Sequence, residues 1–100
     1  MTLKILIADT LAPEGATYLR SQSGVEVIEN TGLTGDDLVA AISDVDGVIV
    51  RSAVKLPKEI LDHAFENPDC RLKGIARAGV GVDNIDLPTA TKYGIAVMNS

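Results

Sequence analysis

Seven residues in the second half of this chain have types and spacings that could do chemistry: Arg51, Ser52, Arg77, Gly79, Val80, Gly81 and Asn84. Two are guanidinium groups, whose planar forks donate paired hydrogen bonds to a carboxylate or phosphate. Gly79 and Gly81 bracket Val80 in a turn where the absence of Cβ atoms lets main chain approach a ligand. Consecutive free N–H groups in such a turn form a small anion-binding concavity. The chemistry implied is the capture of a small anionic metabolite, through its carboxylate at the glycine turn. Hydrogen bonds to charged groups are worth roughly 1.5–3 kcal/mol each, so two arginines and two amides would suffice for a phosphorylated acid. The plainer alternative is that Arg51 and Arg77 only neutralise Asp9, Asp83 or Asp86.

The elements that must position these residues alternate along the chain. Leu3-Lys4-Ile5-Leu6-Ile7-Ala8 reads as a first strand ending at Asp9, and Pro13 starts a helix to about Ser21 that stops near Gly24. Val25-Glu26-Val27-Ile28 is a second, more polar strand, as an edge strand should be. Thr34 is placed to cap a second helix whose first turn carries Asp36 and Asp37, with Leu38, Val39 and Ile42 as its apolar stripe. Val48-Ile49-Val50 is the third strand. Pro57 opens a third helix bearing Ile60, Leu61 and Ala64, and Asn67-Pro68-Asp69 ends it. A fourth strand runs from Leu72 to Ala76 into the glycine turn; Asp86 caps a fourth helix to about Tyr93, Gly94 stops it, and Ile95-Ala96-Val97-Met98 is the fifth strand.

This β-α alternation with short connections predicts an α/β fold: an open parallel five-stranded sheet, helices on both faces, in the flavodoxin-like order 2-1-3-4-5. Ligands of such sheets bind beyond the carboxyl ends of the strands. Asp9 and Thr10, Arg51 and Ser52, Arg77 to Asn84, and Asn99 and Ser100 are all delivered there.

Composition narrows the class. One hundred residues make one small domain; 46% are apolar and only 3% aromatic, so Val, Ile, Leu and Ala must build the core. A net charge of −5 without a basic run argues against a nucleic-acid surface. No apolar run approaches the roughly 18 residues of a membrane span. Met1-Thr2-Leu3-Lys4 enters directly into a strand pattern, which does not read as a signal peptide, and the single Cys70 fits a reducing cytoplasm.

Other chemistries fail on residues. Gly79-Val80-Gly81-Val82-Asp83-Asn84 has two glycines of a G-x-G-x-x-G fingerprint but Asn84 at the third, and it follows the fourth strand rather than the first. No dinucleotide site is therefore expected within this chain. A phosphoacceptor domain would need an acidic pair after the first strand and an aspartate after the third; the chain has Asp9 alone and Arg51. His63, the sole histidine, lies inside the third helix, which leaves no metal cluster and no Ser-His-Asp set.

Val48-Ile49-Val50-Arg51-Ser52, the run Ala76-Arg77-Ala78-Gly79-Val80-Gly81-Val82-Asp83-Asn84-Ile85-Asp86, Ala90-Thr91, Gly94-Ile95 and Val97-Met98-Asn99 together resemble the N-terminal portion of the D-isomer-specific 2-hydroxyacid dehydrogenases. The resemblance covers Lys4 to Asn99; Met98-Asn99-Ser100 departs slightly from the Asn-Thr/Ala-Pro usual there, and the Asn67 to Arg71 loop is longer. It implies a two-domain NAD-dependent oxidoreductase with its active site between the domains. Residues 1–100 would be a substrate-binding (lid) domain fragment. The Rossmann cofactor domain, which binds NAD, and the catalytic Arg, Glu and His would lie downstream. By the same resemblance, the amides of Val80 and Gly81 would hold the substrate carboxylate, with Gly79 shaping the turn. Arg51 and Arg77 would face the phosphate of a substrate such as 3-phosphoglycerate, with Ser52 and Asn84 in support. The whole enzyme is expected to be a cytoplasmic homo-oligomer and the fragment an inactive monomer. Three other readings stay open: a stand-alone module that senses a small acid, a structural interaction domain, and the lid of a relative acting on glycerate, glyoxylate or another 2-hydroxy acid.

Overall fold

Five strands and four helices alternate along the chain: β1 (Leu3–Ile7), α1 (Pro13–Arg20), β2 (Val25–Glu29), α2 (Gly35–Ser43), β3 (Gly47–Val50), α3 (Lys58–Glu66), β4 (Gly74–Arg77), α4 (Leu87–Lys92) and β5 (Ala96–Asn99). The structure, a computed structural model, describes residues 2–9, 13–51, 54–77 and 84–99. All strand pairs are parallel and the order is β2-β1-β3-β4-β5, as the alternation predicts. Thr10, Ser52, Gly79, Val80, Gly81, Asp83 and Ser100 lie outside the described residues.

The register explains which side chains make the core. Leu6, Val48, Ile75 and Val97 sit side by side across four strands, and the pleat sends them to one face. There they meet Leu38 and Ile42 of α2, Leu61 and Ala64 of α3, and Ala90 of α4 in one buried cluster. The next row, Ile7, Ile49, Ala76 and Met98, points to the opposite face. On that side Leu19 of α1 and residues of β1, β3, β4 and β5 line an open apolar groove of about 420 Å³. Leu3 and Met98, at its margins, are 47% and 59% exposed.

Local signals act where the residues place them, with two differences. Asp86 caps α4: its carboxylate accepts from the Thr89 N–H at 3.1 Å and from the Thr89 hydroxyl. Gly94, at φ +73°, ends the same helix in a conformation that favours glycine. Thr34 occupies the N-cap position of α2 in extended backbone, but its hydroxyl makes no capping bond. The turn into that helix is instead made by Gly35 at φ +56°. β4 starts at Gly74 rather than Leu72: its first rung to β3 is the Gly74 N–H to the Asp46 carbonyl at 3.2 Å, and the Lys73 N–H shares that carbonyl at 2.8 Å ahead of the ladder. Leu72 is buried all the same, 3% exposed, ahead of the strand.

Candidate functional site

A parallel sheet brings the carboxyl ends of its strands to one edge, and here that edge carries Asp9, Arg51, Arg77 and Asn84. Arg77 is the last residue of β4 and stands opposite Val50, the last residue of β3. Arg51 follows Val50, so the two arginines leave adjacent strands at the same level. The expected pairing of arginines at one edge is therefore present.

Two side chains hold the segment after β3. Asp9 follows β1 and is almost wholly buried; its Oδ2 accepts the backbone N–H groups of Arg51 at 2.9 Å and Val54 at 3.2 Å. A carboxylate that accepts backbone N–H groups makes charge-assisted bonds, roughly twice as strong as neutral ones. Asn84 Nδ2 donates to the carbonyls of Arg51 and Val54, each at 2.6 Å. Asn84 Oδ1 accepts from Arg77 Nε at 2.8 Å. The main chain adds a second tie: Leu56 N–H donates to the Asn84 carbonyl at 2.7 Å, Asp86 N–H donates to the Leu56 carbonyl at 3.0 Å, and Leu56 pairs with Ile85 as an isolated parallel bridge.

The exit from the glycine turn is thus fastened to the segment after β3. Asp86 caps α4, and Asp9 receives main-chain N–H groups of the segment after β3. The roles expected of Gly79, Val80, Gly81 and Ser52 fall outside the described residues. Asp9 was visible in the sequence only as an acid delivered to this edge; its use as a loop anchor depends on partners 42 and 45 positions away.

Three groups with shifted ionisation meet where α3 packs against the end of α4. Asp62 on α3 accepts from Lys58 Nζ at 2.6 Å and from the Tyr93 hydroxyl at 2.5 Å. Those bonds hold the Asp62 carboxyl below the usual carboxylate range, and the bond to Asp62 raises both Lys58 and Tyr93. Tyr93 also stacks on Phe65, with ring centroids 4.3 Å apart, so this cluster joins α3 to the end of α4. Among the described residues no group of three or more His, Cys, Asp or Glu is arranged to hold a metal ion.

The family model described as "D-isomer specific 2-hydroxyacid dehydrogenase, catalytic domain" matches residues 5–100. A protein named D-3-phosphoglycerate dehydrogenase from Sus scrofa is 40% identical over 97 residues, 97% of this chain and 17% of its own length. A protein of the same name from Methanocaldococcus jannaschii is 42% identical over 98 residues, again 17% of its own length. The chain therefore spans about one sixth of these relatives. Among solved structures, the NAD+-bound 3-phosphoglycerate dehydrogenase of Entamoeba histolytica superposes with a TM-score of 0.81 at 32% identity, over 99% of this chain and 33% of that one.

Proposed function

Because the chain belongs to the D-isomer-specific 2-hydroxyacid dehydrogenase family, we propose that it is the substrate-binding part of an NAD-dependent D-3-phosphoglycerate dehydrogenase. The whole enzyme would oxidise the 2-hydroxyl of 3-phosphoglycerate to give 3-phosphohydroxypyruvate, the entry to serine synthesis by the phosphorylated route. The observation that carries the reading is the meeting of Arg51 and Arg77 at adjacent strand ends, with Asn84 bonded to both. Two cations in so acidic a chain suit a doubly anionic acid better than a simple hydroxy acid. The names of the relatives at 40% and 42% identity agree with this choice.

The part played by this chain is positioning. The glycine turn, through the amides of Val80 and Gly81, would hold the carboxylate, and Arg51 and Arg77 the phosphate, with Ser52 in support. Holding both ends of a short acid fixes the carbon between them, and such orientation lowers the entropic part of the barrier.

The residues of this chain do not fit the cofactor itself. Where a dinucleotide fingerprint needs its third glycine for close helix packing, Asn84 stands, and its amide is bonded to Arg77, Arg51 and Val54. NAD would be bound by a separate cofactor domain of the whole protein. The open apolar face beside Leu19, Ile49 and Met98 supports the reading that further polypeptide packs here in the whole protein. We place the whole protein in the cytoplasm as a homo-oligomer and expect the isolated chain to be a monomer; no helix among the described residues is long and apolar enough to cross a membrane.

Spectrophotometric assay of NAD reduction tests this reading. The full-length protein should reduce NAD with 3-phosphoglycerate far faster than with glycerate or lactate, and the 100-residue chain alone should reduce none. A full-length protein that prefers an unphosphorylated acid would contradict the assignment.

A further inference from the structure

The amide of Asn84 is committed to protein. An asparagine side chain has two N–H donors and one carbonyl acceptor. Both donors go to main-chain carbonyls, those of Arg51 and Val54, and the oxygen accepts from Arg77 Nε. The orientation of the amide is not open to reversal. A guanidinium N–H only donates and a carbonyl only accepts, so exchanging the amide oxygen and nitrogen would break all three bonds. A carboxylate or phosphate needs donors, and the Asn84 side chain has none to give without releasing the carbonyls of Arg51 and Val54.

We propose that Asn84 is a positioning residue that fixes the Arg77 guanidinium and the main chain at Arg51 and Val54 in one geometry, and that its side chain does not contact the acid. The proposal rests on the reading of this strand edge as the acid site, and gives Asn84 a different task there from direct substrate contact. A bond at Nε restrains the plane of the guanidinium, the property on which paired recognition of an anion depends. The same side chain reaches across to the carbonyl of Arg51, so one amide sets the spacing between the segments that carry both arginines. The main-chain ties between Asn84, Leu56 and Asp86 do not involve the side chain. Truncation of Asn84 therefore removes the bracket while the segment remains attached.

The test is a double-variant cycle in the full-length protein, read as kcat and KM for 3-phosphoglycerate. Asn84→Ala should raise KM about tenfold with a smaller change in kcat, the scale of one hydrogen bond to a charged group. Arg77→Ala should raise KM at least as much. The double variant should lose less than the sum of the two single losses, because the part of the Asn84 effect that passes through Arg77 disappears with Arg77, while the hold on Arg51 and Val54 remains to be lost. Independent, additive losses would overturn the positioning role and leave the acid-site reading standing, as would an unchanged KM in Asn84→Ala. An unchanged KM in Arg77→Ala would overturn the acid-site reading itself. A measurement on the unaltered protein covers a variant that fails to fold, or a protein that oxidises none of the acids. The Nε–H resonance of Arg77 should be resolved and protected from solvent exchange before any acid is added. A resonance averaged with those of exposed arginines would overturn the proposal.

Discussion

The carboxylate of Asp9 accepts the backbone N–H of Arg51 at 2.9 Å, joining the end of β1 to the segment that follows β3 across 42 positions of sequence. With its second bond to Val54 N–H, Asp9 anchors the N–H groups of the two residues whose carbonyls Asn84 holds. Asp9→Ala should cost about 1.5–3 kcal/mol, since two N–H groups, the buried one of Val54 and the part-buried one of Arg51, lose a charged partner. Urea unfolding would show a lower midpoint at unchanged slope. Asp9→Asn should lose less, because one acceptor oxygen remains.

The Asp62 cluster carries a pH dependence whose sign follows from its shifts. Asp62 is depressed by its bonds from Lys58 and Tyr93, so its contribution to stability is complete above the ordinary aspartate range and is lost as pH falls through its lower folded value. Lys58 and Tyr93 are raised by the bond to Asp62; their contributions are complete below their ordinary values near 10.5 and 10.0 and fade as pH rises through the higher folded ones. Carboxyl-detected NMR titration should show Asp62 titrating below a typical aspartate. In Tyr93→Phe that titration should move upward.

Glycine substitutions separate backbone strain from crowding. At Gly94, φ is +73° and an added Cβ would meet nothing within 4 Å, so Gly94→Ala should cost roughly 1–2 kcal/mol through backbone conformation alone. Gly94→Asn should cost less, as asparagine tolerates that region. At Gly47 an added Cβ would come 3.0 Å from Ile5 Cδ1, the mobile end of a side chain, so Gly47→Ala should be absorbed by a small shift of Ile5. Thermal unfolding of the three variants would rank them.

Truncation in the shared core should be expensive. Leu61 is wholly buried between α3 and the sheet cluster, and Leu61→Ala should cost about 2–5 kcal/mol by lost burial and the cavity left behind. The same change at Leu3, which is 47% exposed, should cost far less. Chemical denaturation of both variants checks the contrast.

Sheet order, the helix start at Asp86 and stop at Gly94, and the meeting of Arg51 with Arg77 were legible because each depends on local pattern plus the rules of parallel sheets. The start of β4 was not, since Leu72 and Lys73 have strand-like composition and only the register with β3, which pairs Gly47 with Gly74, sets where the ladder begins. Thr34 has the residue type of a cap and the right position, yet Gly35 shapes the turn. The uses of Asp9 and Asn84 were hidden for the same reason: their partners lie 30 to 45 positions away, and no local spacing encodes which oxygen faces which amide.

The most direct test of the account is an NMR titration of the chain in phosphate-free buffer with 3-phosphoglycerate, and with glycerate for comparison. The account predicts amide shifts concentrated at Arg51 and from Arg77 through Asn84, strong with the phosphorylated acid and weak with glycerate. Shifts centred on another part of the sheet, or equal responses to the two acids, would contradict the claim that this strand edge selects a phosphorylated acid.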